Sequence, residues 1–478
     1  MLKFLPERLN MKKYTIIATV LLAVVLTIGI TAVILEKVNS DTLQTERPEV
    51  TSTGGIPSPT PDSTEICTPS TSTENAVTTT PTAEITSTVI PTHTGILIGA
   101  TRYPTMAPTT APTAKPTEAP PKDLENIDFS KKTITLSAMK DKYKTQGRCP
   151  VKTFTHPTTG KKETAVLLNY SASAFSVKAY CEGTVTMELY TPSLWNKDGL
   201  YFNVIVDGVK ISARGNYKLT KGKLHTFTLA TGLEKGLHTF TIERQSEATL
   251  GAVYVHCVTL NGEIAAAPAN GDYFIEFIGD SLISGYGILY PNASEGEYSS
   301  SQYSSVYQDA TKAFAYLAAK KLNADYSIVA ETGIGIVSSY GSRSMSNTYS
   351  MTCAQCYDET TWSFSKKADA VVLTLGTNDN VDVNKGKITY AQMKDGFKSF
   401  LLQIRTKNPS AKIVWAYGAM GNGAKDCILT VLKELGGEAN GYYYVGLEYN
   451  GDGGAGHPSV AANSKNAETL AQALKKIL

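Results

Sequence analysis

Residues 274–282 read FIEFIGDSL. The run Phe274–Ile278 crowds aromatic and β-branched residues into a length that suits a buried strand better than a helix. Gly279 closes the run, and Asp280-Ser281 stands where the chain turns from strand into helix. Downstream the pattern repeats. Residues 305–322 have helical apolar spacing, followed by strand-like YSIVAE (326–331) and, after a long polar excursion, AVVLTLG (370–376). A helical pattern at Tyr390–Lys407, strand-like KIVWAYG (412–418), a helix at Lys425–Leu435, strand-like YYYVGLEY (442–449) and a terminal helix from about Ser459 complete it. Alternating strands and helices predict an α/β fold with a parallel sheet covered on both faces. In such sheets reactive groups gather outside the carboxyl ends of the strands.

Upstream the texture differs. Short runs at Thr164–Asn169, Phe175–Tyr180, Thr184–Tyr190, Tyr201–Val206, His225–Leu229, Leu237–Ile242 and Ala252–Leu260 are separated by Gly, Pro, Asn and Asp. Asp207-Gly208, between FNVIV and VKI, is a hairpin signal. Short strands at even spacing predict an all-β sandwich at 125–268, ahead of an α/β domain at 269–478.

The amino end is different again. Thr15–Leu35 is uncharged and apolar, long enough to cross a bilayer core as a helix. Lys3, Arg8, Lys12 and Lys13 precede it and only Lys37 follows closely, which places residues 1–14 in the cytoplasm and the rest outside. A cleaved signal peptide is the competing reading, but the run is longer than such peptides need and no good small-x-small site follows it. Both readings export the remainder; the first also makes the membrane a partner. Residues 36–124 are rich in Thr, Pro, Ser and Ala and predict a disordered spacer, a candidate for O-glycosylation. Over 478 residues, 45 basic side chains against 43 acidic ones give a net charge of +2, which argues against nucleic-acid binding. Seven cysteines are too few for a disulfide scaffold of this length, and their odd number leaves at least one unpaired within the chain.

Four loops fall at predicted strand ends. They are Gly279-Asp280-Ser281-Leu282, Glu331-Thr332-Gly333-Ile334-Gly335, Gly376-Thr377-Asn378-Asp379, and 451–458, which ends in His457-Pro458. Together they predict acyl transfer. Ser281 presents a hydroxyl, which is a poor nucleophile until a base such as His457 removes its proton. The N–H groups of Ser281 and Gly335 and the side-chain amide of Asn378 would stabilise the oxyanion, each donor worth roughly 2.7–4 kcal/mol. Gly333 competes with Gly335 for that role. Asp280 and Asp379 read as braces that accept backbone N–H bonds.

These blocks, in this order, resemble the SGNH (GDSL) hydrolase superfamily. The upstream run KGLHTFTIERQSEATLGAVYVHCVTLNGEI (235–264), followed by FIEFIGDSLISGYG, is similar to carbohydrate esterase family two. The resemblance covers about Asp128 to the carboxyl end. It implies a jelly-roll joined to a three-layer, flavodoxin-like SGNH domain that removes O-acetyl groups from plant polysaccharides such as acetylated glucomannan or xylan, with no metal or cofactor. The chain departs from the family where an Asp stands two or three residues before the histidine, since Ala455 and Gly454 occupy those positions. The residues then predict a Ser281–His457 dyad with the imidazole oriented by a backbone carbonyl; Asp452, five residues upstream, is the alternative third member.

Within the polar excursion 338–364, Trp362, Tyr340 and Tyr349 are candidate sugar-stacking platforms, with packing at a domain edge as the other reading of Trp362. Trp415 reads as core. Cys353-x-x-Cys356 lacks the second pair that a structural zinc site needs, so no metal is expected there. The overall expectation is an extracellular, membrane-anchored polysaccharide deacetylase. Two alternatives stand beside it: an O-acetylesterase acting on peptidoglycan or exopolysaccharide, and an inactive carbohydrate-binding surface protein.

Overall fold

A computed structural model describes residues 124–192, 199–211, 219–290, 305–338, 343–353 and 358–478. The expected membrane anchor and nearly all of the Thr/Pro-rich spacer lie outside the described residues. Among the described residues no helix is long and apolar enough to cross a membrane.

Among the described residues nine strands precede Tyr273: β1 (Lys131–Thr135), β2 (Lys144–Gln146), β3 (Val151–Thr155), β4 (Lys162–Leu168), β5 (Ala174–Tyr190), β6 (Phe202–Val206), β7 (Val209–Lys210), β8 (Leu224–Arg244) and β9 (Val253–Ile264). They form one antiparallel network in the order β3-β4-β9-β5-β8-β6-β7, with β1 on β9 and β2 on β5. The even series of short strands is therefore partly corrected. Runs 175–180 and 184–190 are a single 17-residue strand, and 225–229 and 237–242 are a single 21-residue strand. Gly183 explains why: at φ 73° it absorbs a register shift inside the ladder instead of ending the strand. Asp207 (φ 49°) and Gly208 (φ 77°) do make the two-residue hairpin between β6 and β7. One face of this network is the core, with Phe175, Val177, Met187, Phe202, Phe240 and Val255 buried together.

From Tyr273 the chain alternates as expected. Strands β10 (Tyr273–Gly279), β11 (Ala324–Ala330), β14 (Ala370–Leu373), β15 (Lys412–Tyr417) and β16 (Tyr442–Gly446) form a parallel sheet ordered β11-β10-β14-β15-β16, while β12 (Met351–Cys353) and β13 (Asp358–Thr361) pair separately. That is a doubly wound order in which the first strand lies between the second and the third. Helices α1 (Ser281–Ser284), α2 (Phe314–Lys321), α3 (Thr377–Asn384), α4 (Tyr390–Lys407), α5 (Lys425–Glu434) and α6 (Val460–Ile477) follow the strands. Phe314 of α2 and Leu470 and Leu474 of α6 pack with Ile275, Phe277 and Ile328 on one face of the sheet. Phe397 and Phe400 of α4 and Ile428 and Val431 of α5 pack with Ile278, Leu373 and Trp415 on the other. Each such side chain contributes roughly 1.5–3 kcal/mol on burial. Helix α4 starts in a capping box: Gln392 N–H donates to Thr389 Oγ1 at 3.1 Å, and Thr389 N–H to Gln392 Oε1 at 2.8 Å.

Polar anchors join the two sheets. Arg148, fully buried, donates from Nη1 to the carbonyls of Tyr349 (2.6 Å) and Met351 (2.7 Å) and from Nη2 to Glu276 Oε1 (3.1 Å). The rings of Tyr349 and Phe364 lie 5.0 and 4.9 Å from its guanidinium.

Candidate active site

The first loop is shaped by crowding. A Cβ on Gly279 would stand 2.2 Å from Thr374 Oγ1 and 2.6 Å from Ile283, so only glycine lets β10 turn so sharply into α1. Asp280 caps that helix, its Oδ1 accepting from Leu282 N–H at 3.0 Å. Ser281 follows as the first helical residue, just past the carboxyl end of β10.

His457 arrives from the other end of the chain. Its Nε2 lies 2.7 Å from Ser281 Oγ, and both residues are 8% exposed. Its Nδ1 lies 3.1 Å from the carbonyl oxygens of both Gly454 and Ala455. Those acceptors require the proton on Nδ1, which leaves the Nε2 lone pair facing the serine hydroxyl. Burial holds the imidazole below its ordinary pKa, and hydrogen bonds to the two carbonyls oppose that shift. A neutral, correctly oriented base beside a hydroxyl is what serine activation needs. The Tyr286 ring, which the motif reading passed over, packs against the imidazole at 4.9 Å between centroids.

The expected backbone carbonyl is thus a pair of carbonyls, and the Asp452 alternative is corrected. The Asp452 Oδ2 accepts from Asn450 Nδ2 at 2.6 Å, and its own N–H donates to Asn450 Oδ1. This closed Asx-type turn holds the carboxylate on its own loop while Nδ1 of His457 is filled by main chain.

Both predicted braces are in place. Asp379 accepts from the N–H groups of Ile336, Val337 and Ser338 at 2.8–2.9 Å, pinning the second loop. Burial pushes the Asp280 carboxyl up to about 7; its bond to Leu282 N–H opposes this, and the neighbouring Asp379 adds to it. Asp379 is also raised by burial, against its three N–H donors.

The oxyanion donors divide. Asn378 Nδ2 bridges the first two loops, donating to Ile334 O at 2.9 Å and to Asp280 Oδ2 at 3.3 Å. Gly335 does not offer a free donor, because its N–H donates to Ser338 O at 3.2 Å; a Cβ there would stand 2.7 Å from Asp379 Oδ1. Gly333, at φ 83°, has the backbone N–H that no acceptor among the described residues takes. The adjacent Thr332 holds this loop to both sheets: its Oγ1 is 3.1 Å from Ser284 Oγ, and its N–H donates to Glu247 Oε2 at 2.9 Å. Glu247, just beyond β8, is a contribution of the β-sheet that no motif announced.

Trp362 is corrected as a sugar platform. It packs over Arg148, 5.7 Å from the guanidinium, and lines a cavity of about 40 Å³ with Phe274 and Gly147. Phe274 stands at the start of β10 and Ser281 just past its end, roughly 20 Å away at 3.3 Å per residue. Tyr349 is buried, its hydroxyl donating to Glu276 Oε2 at 2.6 Å. Tyr340 and Cys356 lie outside the described residues, while Cys353 is buried. Trp415 is core as expected, its Nε1 donating to Leu375 O at 3.0 Å.

No family model matches the chain. Among characterised proteins, the cellulase/esterase CelE of Acetivibrio thermocellus is 28% identical over 293 residues, 58% of this chain and 34% of CelE. An acetylxylan esterase / glucomannan deacetylase of Cellvibrio japonicus is 29% identical over 196 residues, 37% of this chain and 52% of that protein. The chain therefore matches between a third and a half of these relatives' own lengths. Among solved structures, a family two carbohydrate esterase from Clostridium thermocellum, in complex with cellohexaose, superposes with a TM-score of 0.59 at 24% identity, covering 70% of this chain and 98% of that one. The chain is thus similar in sequence to esterases and in fold to family two carbohydrate esterases.

Proposed function

We propose that this chain is an extracytoplasmic serine esterase that removes O-acetyl groups from plant polysaccharides such as acetylated glucomannan or xylan. One observation carries the reading: Ser281 Oγ lies 2.7 Å from His457 Nε2, with Nδ1 engaged by two carbonyls. In this reading Ser281 Oγ attacks the acetyl carbonyl carbon while His457 Nε2 takes the hydroxyl proton. The tetrahedral oxyanion is met by the N–H groups of Ser281 and Gly333 and by Asn378 Nδ2, which exchanges its longer contact with Asp280. Collapse breaks the ester C–O bond, and His457 returns the proton to the departing sugar oxygen. Water then attacks the acetyl-enzyme by the reverse relay, releasing acetate and the free serine. Two carbonyls in place of a carboxylate orient the ring fully but stabilise its imidazolium less.

The polysaccharide assignment leans on the deacetylase and esterase relatives; export leans on the apolar run at Thr15–Leu35. The preceding β-domain is taken as a jelly-roll, which the resemblance to family two implies. S281A should abolish acetate release from acetylated mannan or xylan; persistent turnover would falsify the assignment. The cellohexaose bound by one structural neighbour favours a second reading, glycan binding without turnover. Hydrolysis of 4-nitrophenyl acetate by the parent chain excludes it.

A further inference from the structure

We propose a second site, independent of the ester chemistry: a divalent transition-metal site of the zinc class on the outer face of the β-domain, ligated by His156, His256 and Glu188. The four contributing segments are neighbours in the order β3-β4-β9-β5. His156 follows β3, Glu163 lies on β4, His256 on β9 and Glu188 on β5. The ligating atoms of His156, Glu188 and His256 all lie within 4.8 Å of one another. Chain neighbours of these residues, Met187, Leu189 and Val255, point into the hydrophobic core, so the cluster stands on the opposite face.

The ladder is deformed where the cluster needs it. Glu188 pairs with Cys257 and Leu189 with Val255, so His256 is the extra residue of a bulge. Bulges re-aim a side chain. The His256 ring sits edge-on to Phe154, 5.2 Å between centroids, and is 4% exposed. Its Nδ1 is 3.0 Å from Glu188 Oε2 and its Nε2 contacts Glu163 Oε2.

This geometry fits a small cation. Zinc bonds of about 2.0–2.2 Å place tetrahedral ligands about 3.3–3.5 Å apart, so the Nδ1–Oε2 pair must open by only a few tenths of an ångström. Imidazole and carboxylate together suit zinc better than calcium or magnesium, which prefer all-oxygen shells. Glu163, accepting from the far nitrogen of His256, completes the carboxylate–histidine–metal arrangement that fixes a ligand's orientation. The metal takes the place of the proton between Nδ1 and Glu188, which leaves to solvent. Nδ1 of His156 accepts from Thr158 and Thr159 N–H at 3.3 and 3.2 Å, so the ring proton stands on Nε2, the nitrogen that would bind the metal, until ligation displaces it. Ligation moves that ring's proton to Nδ1, and the two exposed amides turn to water. The three ligands come from β9, β5 and the turn after β3, so no sequence spacing betrays them.

The test is zinc chloride titration of the EDTA-treated full chain by calorimetry, with thermal unfolding in parallel. One zinc should bind per chain and raise Tm, while calcium and magnesium do neither. H156A, outside the regular strands, should lower affinity at least tenfold, and E163Q by about 10–100-fold. Hydrolysis of 4-nitrophenyl acetate, unchanged in H156A, serves as the folding control, since His156 is remote in sequence and element from Ser281 and His457. Absence of zinc binding to the parent chain overturns the proposal, as does parental affinity in H156A.

Discussion

The carbonyl oxygen of Ala455 lies 3.1 Å from Nδ1 of His457, and Ala455 reaches that position in a left-handed backbone conformation (φ 54°, ψ 39°). An L-residue there stores about 1–2 kcal/mol of strain. The strained turn also aims the carbonyl of Gly454 at the same nitrogen. The loop therefore uses backbone shape to do the orienting job that a carboxylate performs in many serine hydrolases.

Substituting a β-branched residue at this turn should undo that orientation. A455V should lower kcat about tenfold or more with little change in KM, whereas A455G, which accepts the same φ, should stay near the parent. Steady-state kinetics on an acetyl ester separates the two. Loss of activity in A455G equal to that in A455V would show that the turn's shape is not what matters.

Asp452 should be dispensable for turnover. Its carboxylate is held by Asn450, so D452A should retain kcat within about twofold while A455V does not. A large kcat loss in D452A would restore the carboxylate to the relay.

The pH profile follows from the base. Burial lowers the His457 pKa below its ordinary value, so the imidazole stays neutral in mildly acidic solution. The acid limb of kcat/KM should therefore fall below the usual histidine range near pH 6.5. Because the native state binds fewer protons than the unfolded chain, this residue's contribution to stability is present above about pH 6.5 and lost as pH drops through it. An acid limb above pH 7 would contradict this.

Asp280 has the opposite sign. Burial raises its carboxyl to about 7, so the native state holds a proton that the unfolded chain releases near pH 4. Its contribution makes stability fall as pH rises from about 4 to 7. D280N, which keeps a helix-capping side chain, should flatten that segment of a urea-unfolding series collected across pH. An unchanged slope would mean that Asp280 ionises normally.

Arg148 should be a structural fulcrum. R148M leaves the buried Glu276 with the Tyr349 hydroxyl but no cation and strands the carbonyls of Tyr349 and Met351; a cost of about 3–5 kcal/mol is expected. Denaturant midpoints measure it, and E276Q in the same background should recover part of the loss.

Much of this was legible in the residues. Strand and helix periodicity from Phe274 onward gave the alternating sheet, because each element buries one stripe or face and its apolar spacing records that. The β-region was legible in kind but not in number of strands: Gly183 reads as a break in a list of residues, yet in three dimensions it carries a bulge inside one continuous ladder. Trp362 looked like a platform because aromatic rings suit sugars; its position near the start of β10, far from Ser281, is a property of topology.

By itself the sequence determined which chemistry was available: a serine after a strand, a histidine before a proline, glycines where backbones crowd, and acids able to accept main-chain N–H groups. The tertiary structure alone decided which of them meet. It brought Ser281 to His457 across 176 positions of chain, gave the imidazole two carbonyls in place of Asp452, spent the Gly335 N–H on Ser338, and gathered two histidines and two glutamates from three strands and a turn. The physical reason is that hydrogen bonds and ligand contacts are satisfied over about 3 Å, a distance that strand pairing and loop closure set and that spacing along a polymer does not encode.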